Sequence, residues 1–147
     1  PRRGGDRLEA VHEPLTLETD HMNNVLLLVA RILLSFMFIM AGFAKFGDLA
    51  GNAGYIASVG LPAASALSPL SAIFEVVAGL AILVGFQTRI AAWLLAAFCV
   101  VAAFFFHFQP ADMMQMLMFN KNLTIAGGFL ALAVAGAGKF SIDGRRG

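Results

Sequence analysis

After a polar opening of 21 residues, long apolar tracts alternate with short polar breaks, and four of the tracts approach the ~20 residues a helix needs to cross a bilayer. They run over about 25–44, 70–86, 90–108 and 123–137. The second and fourth fall short of a full crossing, so they are expected to recruit flanking residues, tilt little or be covered by protein. Only GFQTR separates the second tract from the third, which permits a tight hairpin and makes those helices antiparallel neighbours. The connection 45–69 is longer and rich in Gly, Asn, Ser and Pro; its Tyr55, Ile56 and Leu61 suit a short re-entrant or surface helix. The expected fold class is all-α, an integral membrane four-helix bundle.

Residues 1–21 have neither hydrophobic periodicity nor a signal-peptide core, and Met22 opens the apolar part. They are set apart as a polar arm, either foreign to a native chain starting at Met22 or a disordered or surface-lying cytoplasmic segment, while 22–147 form the membrane domain.

Composition sharpens this picture. The chain is 59% hydrophobic and 13% charged, against about 25% charged residues in soluble domains, which excludes a water-soluble fold. Net charge is +1 and the basic residues are scattered, so no nucleic-acid footprint exists. Their distribution sets an expected orientation. Arg2, Arg3, Arg7, Arg89, Lys139, Arg145 and Arg146 collect on one side and only Lys45 and Lys121 on the other, which predicts both termini in the cytoplasm. The single cysteine, Cys99, lies in an apolar run and is read as a packing residue.

Ionisable groups inside hydrocarbon face a partner or a cavity. On the first helix Arg31, Ser35, Phe38, Gly42 and Lys45 follow one another at spacings of four, three, four and three, which places them on one inward face. Lys45 ends that helix on the outer side and Glu75 enters the second near the same level. His107 closes the third and Lys121 with Asn122 opens the fourth there, so Lys45, Glu75, His107, Lys121 and Asn122 form the candidate cluster. Such a set can relay protons, hydrogen-bond a quinone carbonyl or hold an anion. The competing reading makes the lysines interfacial anchors, His107 a headgroup-zone residue and Glu75 half of a structural salt bridge. Arg31 is read as tying helices together or capping carbonyls, and Gly79, Gly127 and Gly128 as points of close helix approach. Met113, Met114, Met116 and Met118 are placed in the outer connection; a copper site there is the weaker alternative to an interfacial turn, and no metal site is expected.

The run RILLSFMFIMAGFAK from Arg31 to Lys45, the loop with Pro62, IFEVVAGLAILVGFQTR from Ile73 to Arg89, AAFCVVAAFFFH ending at His107, and FNKNLTIAGGFLAL followed by GKFSIDG together resemble the DoxX family. The resemblance spans about 24–144 and implies a multi-pass protein of the bacterial inner membrane. It also implies importance for the recurring polar positions Arg31, Lys45, Glu75, Arg89, His107, Lys121, Asn122 and Asp143, of which Arg31, Arg89 and Asp143 are taken as structural intramembrane charges. The family includes proteins associated with thiosulfate-to-quinone electron transfer and membrane anchors of thiol and oxidative-stress complexes.

Three functions follow as expectations. The first is a redox-linked subunit whose outer cluster binds quinone, the one cofactor candidate. It needs a soluble or membrane redox protein as partner, because the chain has no cysteine pair, haem ligation, zinc pattern or nucleotide motif. The second is a membrane scaffold without chemistry of its own; the third, disfavoured by Arg31 and the lysines, is a small proton-coupled transporter. Whether the chain is an enzyme, and whether it forms a homo-oligomer within the bilayer, stays open. Quinone binding predicts an apolar slot opening to lipid beside Glu75 and His107, scaffolding predicts those groups paired with no slot, and transport predicts a cavity reaching midplane.

Overall fold

The computed structural model describes the backbone of residues 5–146 and the side chains of 17–146. In chain order the elements are α1 (Gly5–Gly47), α2 (Leu49–Ser58), α3 (Ala64–Val84), α4 (Thr88–Ala102), continued by a π-helical turn (Ala103–His107), α5 (Met113–Ala135) and a short α6 (Ile142–Arg146). Four helical segments are long and apolar enough to cross a membrane: Leu17–Gly47, Ala64–Val84, Thr88–His107 and Met113–Ala135. Among the described residues there is no strand. The all-α four-span architecture is thus the observed one.

The boundaries move outward from those expected, for identifiable reasons. Helix α1 opens at Gly5, upstream of position 25, because the onset of apolar residues marks the edge of the hydrocarbon, not the edge of the hydrogen-bonded helix. Helix α3 starts at Ala64 and carries Pro69 within its early turns, which lengthens the second span to 21 residues. Helix α5 starts at Met113 and has 23 residues, so the methionines expected in a connection form its first turns. Asp112 nucleates that start, its Oδ1 accepting from the amides of Met114 at 2.8 Å and Gln115 at 3.1 Å. The loop 45–69 does contain a short helix, α2, capped by Asp48, whose carboxylate accepts from Gly51 N at 2.8 Å.

Packing divides the bundle into pairs, α1 on α3 and α4 on α5, with the α3–α4 seam less tightly filled. Helices α1 and α3 touch backbone to backbone at two glycines. A Cβ on Gly42 would lie 2.8 Å from Ala72 O, and one on Gly79 would lie 2.8 Å from Ile39 Cγ1, so neither position tolerates a side chain without separating the helices. Gly128 faces Leu34 in a looser approach, whereas Gly127 has open space and is no helix contact. Phe38, Ile82, Leu95, Cys99 and Phe129 fill the core, and the Phe38 and Phe129 rings meet edge to face at 5.4 Å. Cys99 is buried among apolar side chains, as a packing residue would be.

The α3–α4 hairpin is closed by a Schellman motif: Phe86 N donates to Ala81 O at 2.8 Å and Gly85 N to Ile82 O at 3.2 Å. Gly85 has φ +70°, and a Cβ there would also strike Ser141 and Arg31, so this glycine is required twice over.

Candidate functional site

At the end of the bundle away from the chain termini, the close α1–α3 crossing brings Lys45, at the last turn of α1, over Glu75 on α3. Lys45 Nζ donates to both carboxylate oxygens, at 2.9 Å to Oε1 and 2.7 Å to Oε2. Glu75 is 2% exposed, which in hydrocarbon is sustainable only with such a partner. The two groups, 30 positions apart in sequence, form a salt bridge, so Lys45 is the partner of Glu75.

Beside the pair a cavity of about 610 Å³ opens along the α3–α4 seam, within the roughly 300–1,000 Å³ usual for sites of small organic ligands. Its walls are apolar, with five aromatic rings, Phe38, Phe74, Phe98, Phe106 and Tyr55, among aliphatic side chains, and with Leu70, Leu94 and Val101 at a mouth exposed on the flank of the bundle. Its polar lining is Lys45, Glu75, His107, Asn52, Ser71 and Asn122. Helix α2 roofs it, held down by Asn52 Nδ2 donating to Ser68 Oγ at 2.9 Å and by Ser68 Oγ donating to Leu49 O at 2.8 Å. Tyr55 of α2 stacks on Phe106 with ring centroids 5.1 Å apart.

The π-helical turn decides what α4 contributes. Leu94, Phe98, Val101 and Ala102 line the cavity at regular helical spacing, which would next present position 105. The extra residue in the π turn shifts the register by one, so Phe106 and His107 line it instead. His107 Nδ1 pairs with Gln115 Oε1 at 2.8 Å, a contact that fixes the ring and does not involve Nε2. Asn122 lines the cavity while its Nδ2 donates to Met118 O at 3.1 Å.

Lys121 does not join. It is exposed and lines no part of the cavity, because α5 begins at Met113 and Lys121 stands in its third turn, about 100° around the helix from Asn122. The cluster therefore holds one ammonium, one carboxylate and one imidazole. Phe38 was read onto the inward face of the first helix, but Asn52, Ser71, Phe74 and Phe98 were not singled out from sequence. The apolar residues of 45–69 hinted at Tyr55, but nothing local distinguishes a cavity-facing phenylalanine from a lipid-facing one.

The charges Arg31, Arg89 and Asp143 are gathered at the opposite end, in different roles. Arg31, 1% exposed, donates through Nη1 to Ala137 O at 2.7 Å and through Nη2 to Phe140 O at 2.7 Å and Leu83 O at 3.3 Å. It thereby neutralises carbonyls at the end of α3 and beyond α5 that have no helical partner. Arg89 stands at the very start of the third span, exposed in the first turn of α4, and Asp143 lies outside the four spans, in α6. Asp143 caps α4 from a distance, Oδ1 accepting from Gln87 N at 2.9 Å and Oδ2 from Thr88 N at 2.8 Å.

Partial burial pushes the Asp143 carboxyl up, but the hydrogen bonds from Thr88 and Gln87, with Arg146 nearby, pull it further down, to below its ordinary 3.8. A depressed folded value means that its contribution is fully present above 3.8 and is lost as pH falls through the lower folded value. Asp143→Asn is therefore expected to melt at a lower temperature than the parent at pH 7, with the gap narrowing as pH falls below 3.8. A gap independent of pH would refute the capping role.

The DoxX family profile matches residues 26–108. Inner membrane protein YqjF of Escherichia coli (strain K12) is 46% identical over 122 residues, covering 83% of this chain and 92% of that protein. Inner membrane protein YphA of the same organism is 37% identical over 126 residues, covering 82% and 90%. No solved structure matches the chain. With matches of this length and identity to inner membrane proteins, and four spans in the fold, the chain belongs to the DoxX family and is a multi-pass protein of the bacterial inner membrane.

Proposed function

We propose that the cavity takes up a quinone from the bilayer and that the chain serves as the quinone-binding subunit of a redox-linked membrane complex. The observation that carries this reading is the position of the slot: its mouth lies at Leu70, Leu94 and Val101 on the flank that faces lipid, and its polar end is the Lys45–Glu75 pair with His107. Aromatic walls suit a flat ring. Two of the three Lys45 ammonium protons are held by Glu75, and the third is a donor for a ring carbonyl. His107, held through Nδ1 by Gln115, has Nε2 left over for a ring oxygen. Electrons come from a partner protein. In this reading the termini are cytoplasmic and the slot is near the outer face, supported by the basic residues Arg89, Lys139, Arg145 and Arg146 at the end with the termini.

A scaffold role is favoured by one observation, the complete pairing of Glu75 inside the protein. The two readings part on ligand retention. Extracted from native membrane in polymer nanodiscs, the chain is expected to carry about one quinone per copy, and Ala102→Phe, which fills the slot without touching a charge, is expected to lower that occupancy at least ~10-fold. Quinone at the bulk-lipid level in the parent, or full occupancy in the filled variant, would sink the quinone reading.

A further inference from the structure

A second cavity, of about 480 Å³, lies at the opposite end of the bundle from Glu75. It is cut between the α3–α4 turn (Gln87, Thr88, Arg89), the link after α5 (Gly136 to Lys139) and Asp143 of α6, with Asn24 of α1 at its rim. Asn24 Oδ1 accepts from Lys139 N at 2.6 Å, which fixes the link against α1. Unlike the slot, this cavity has predominantly polar and charged side chains.

Its charge is unbalanced. Both oxygens of Asp143 are engaged by backbone amides of the α4 N-terminus. Arg89 and Lys139 are exposed, and among the described residues neither side chain has a hydrogen bond or ion pair. Glu18 and Asp20 stand on α1 ahead of Asn24 and do not line the cavity. Two cations without an ion-pair partner thus line one space with a single carboxylate, Asp143, which leaves one net positive charge there. The α4 span starts at Thr88 and the α5 span ends at Ala135, so the cavity sits where the apolar spans stop, at the level of lipid headgroups.

We propose that this cavity is a phosphate-oxyanion site, filled in the bilayer by the headgroup phosphate of an anionic phospholipid, with Arg89 and Lys139 as its cations. A guanidinium presents paired N–H donors to two phosphate oxygens, and an ammonium adds a point charge. Basic pockets between spanning helices bind anionic headgroups on this principle. The glycines of the link, Gly136 at φ +83° and Gly138 at φ +75°, bend the chain back to bring Lys139 to the same opening as Arg89.

The test uses the full chain in neutral detergent, titrated with short-chain phosphatidylglycerol, short-chain phosphatidylcholine and inorganic phosphate. Phosphatidylglycerol is expected to bind at least ~10-fold more tightly than phosphatidylcholine and to weaken with added salt. Arg89→Gln and Lys139→Gln should each weaken it about fivefold and the double variant about 25-fold, with unchanged melting in the absence of lipid. Phosphate binding far more weakly than phosphatidylglycerol assigns the site to lipid. Equal, variant-sensitive affinity for phosphate keeps the oxyanion site and overturns the lipid as its source. Phosphatidylcholine binding as well as phosphatidylglycerol, or a double variant that binds phosphatidylglycerol like the parent, overturns the proposal.

Discussion

Replacing Arg31 by leucine is expected to destabilise the bundle by about 3–5 kcal/mol, enough to lower its melting temperature by roughly 10 °C. The side chain is buried and bridges Leu83 O, Ala137 O and Phe140 O, so its loss strands three carbonyls at once. A buried acceptor left without a donor costs about 1–3 kcal/mol, and no water from the hydrocarbon side replaces the guanidinium. Arg31→Lys should recover little of this, since an ammonium on a single stem cannot reproduce a planar fork reaching two separate chain segments. The effect should be specific to this end of the molecule. Melting followed by size-exclusion recovery in detergent measures it, and a leucine variant within 2 °C of the parent would contradict the assigned role.

At the other end, Glu75→Leu and Lys45→Met should each cost about 3–5 kcal/mol when made alone, because each leaves an uncompensated charge in an apolar setting. The double variant Lys45→Met/Glu75→Leu should recover most of that loss, since a buried ion pair and a well-packed apolar pair are often close in free energy. This cycle separates holding the bundle together from binding a ligand. If the pair only fixes α1 against α3, the double variant should behave as the parent in every assay, including assembly with partners. If it forms the polar end of the slot, stability should return while quinone retention stays at least ~10-fold below the parent. Full retention in the double variant would remove the pair from the proposed site, leaving His107 to carry it.

The Lys45–Glu75 pair shows how far a single sequence reaches. Both residues announced themselves by being ionisable within apolar tracts, and the end of the first tract, the start of the second and the helical rise were enough to put them near one level. Arg31 was legible in the same way, down to its bonding to carbonyls, although which carbonyls depended on a turn beyond α5 that has no hydropathy signature. Lys121 was misplaced for a local reason: the hydropathy of the Met-rich run suggested a connection, while the cap at Asp112 makes it helix and rotates Lys121 out of the cluster. Asp143 is a charged residue after the last apolar tract, and sequence distance alone did not show that it falls in a separate short helix beyond the spans.

The number of spans, their pairing across the short hairpin, the class of the fold and the level of the buried charges were determined by the sequence itself. They follow from two one-dimensional quantities, the length of an apolar run and the rise of a helix. The slot, its lipid-facing mouth and the second cavity were decided only by the tertiary structure. They depend on where helices fail to touch: the α1–α3 contact tightened by Gly42 and Gly79, the looser α3–α4 seam, and one extra residue in the π turn that brings Phe106 and His107 to line the slot. In lipid, apolar side chains gain nothing from facing inward rather than outward. Hydropathy is therefore silent on which face of each helix packs, and shape complementarity between helices decides it.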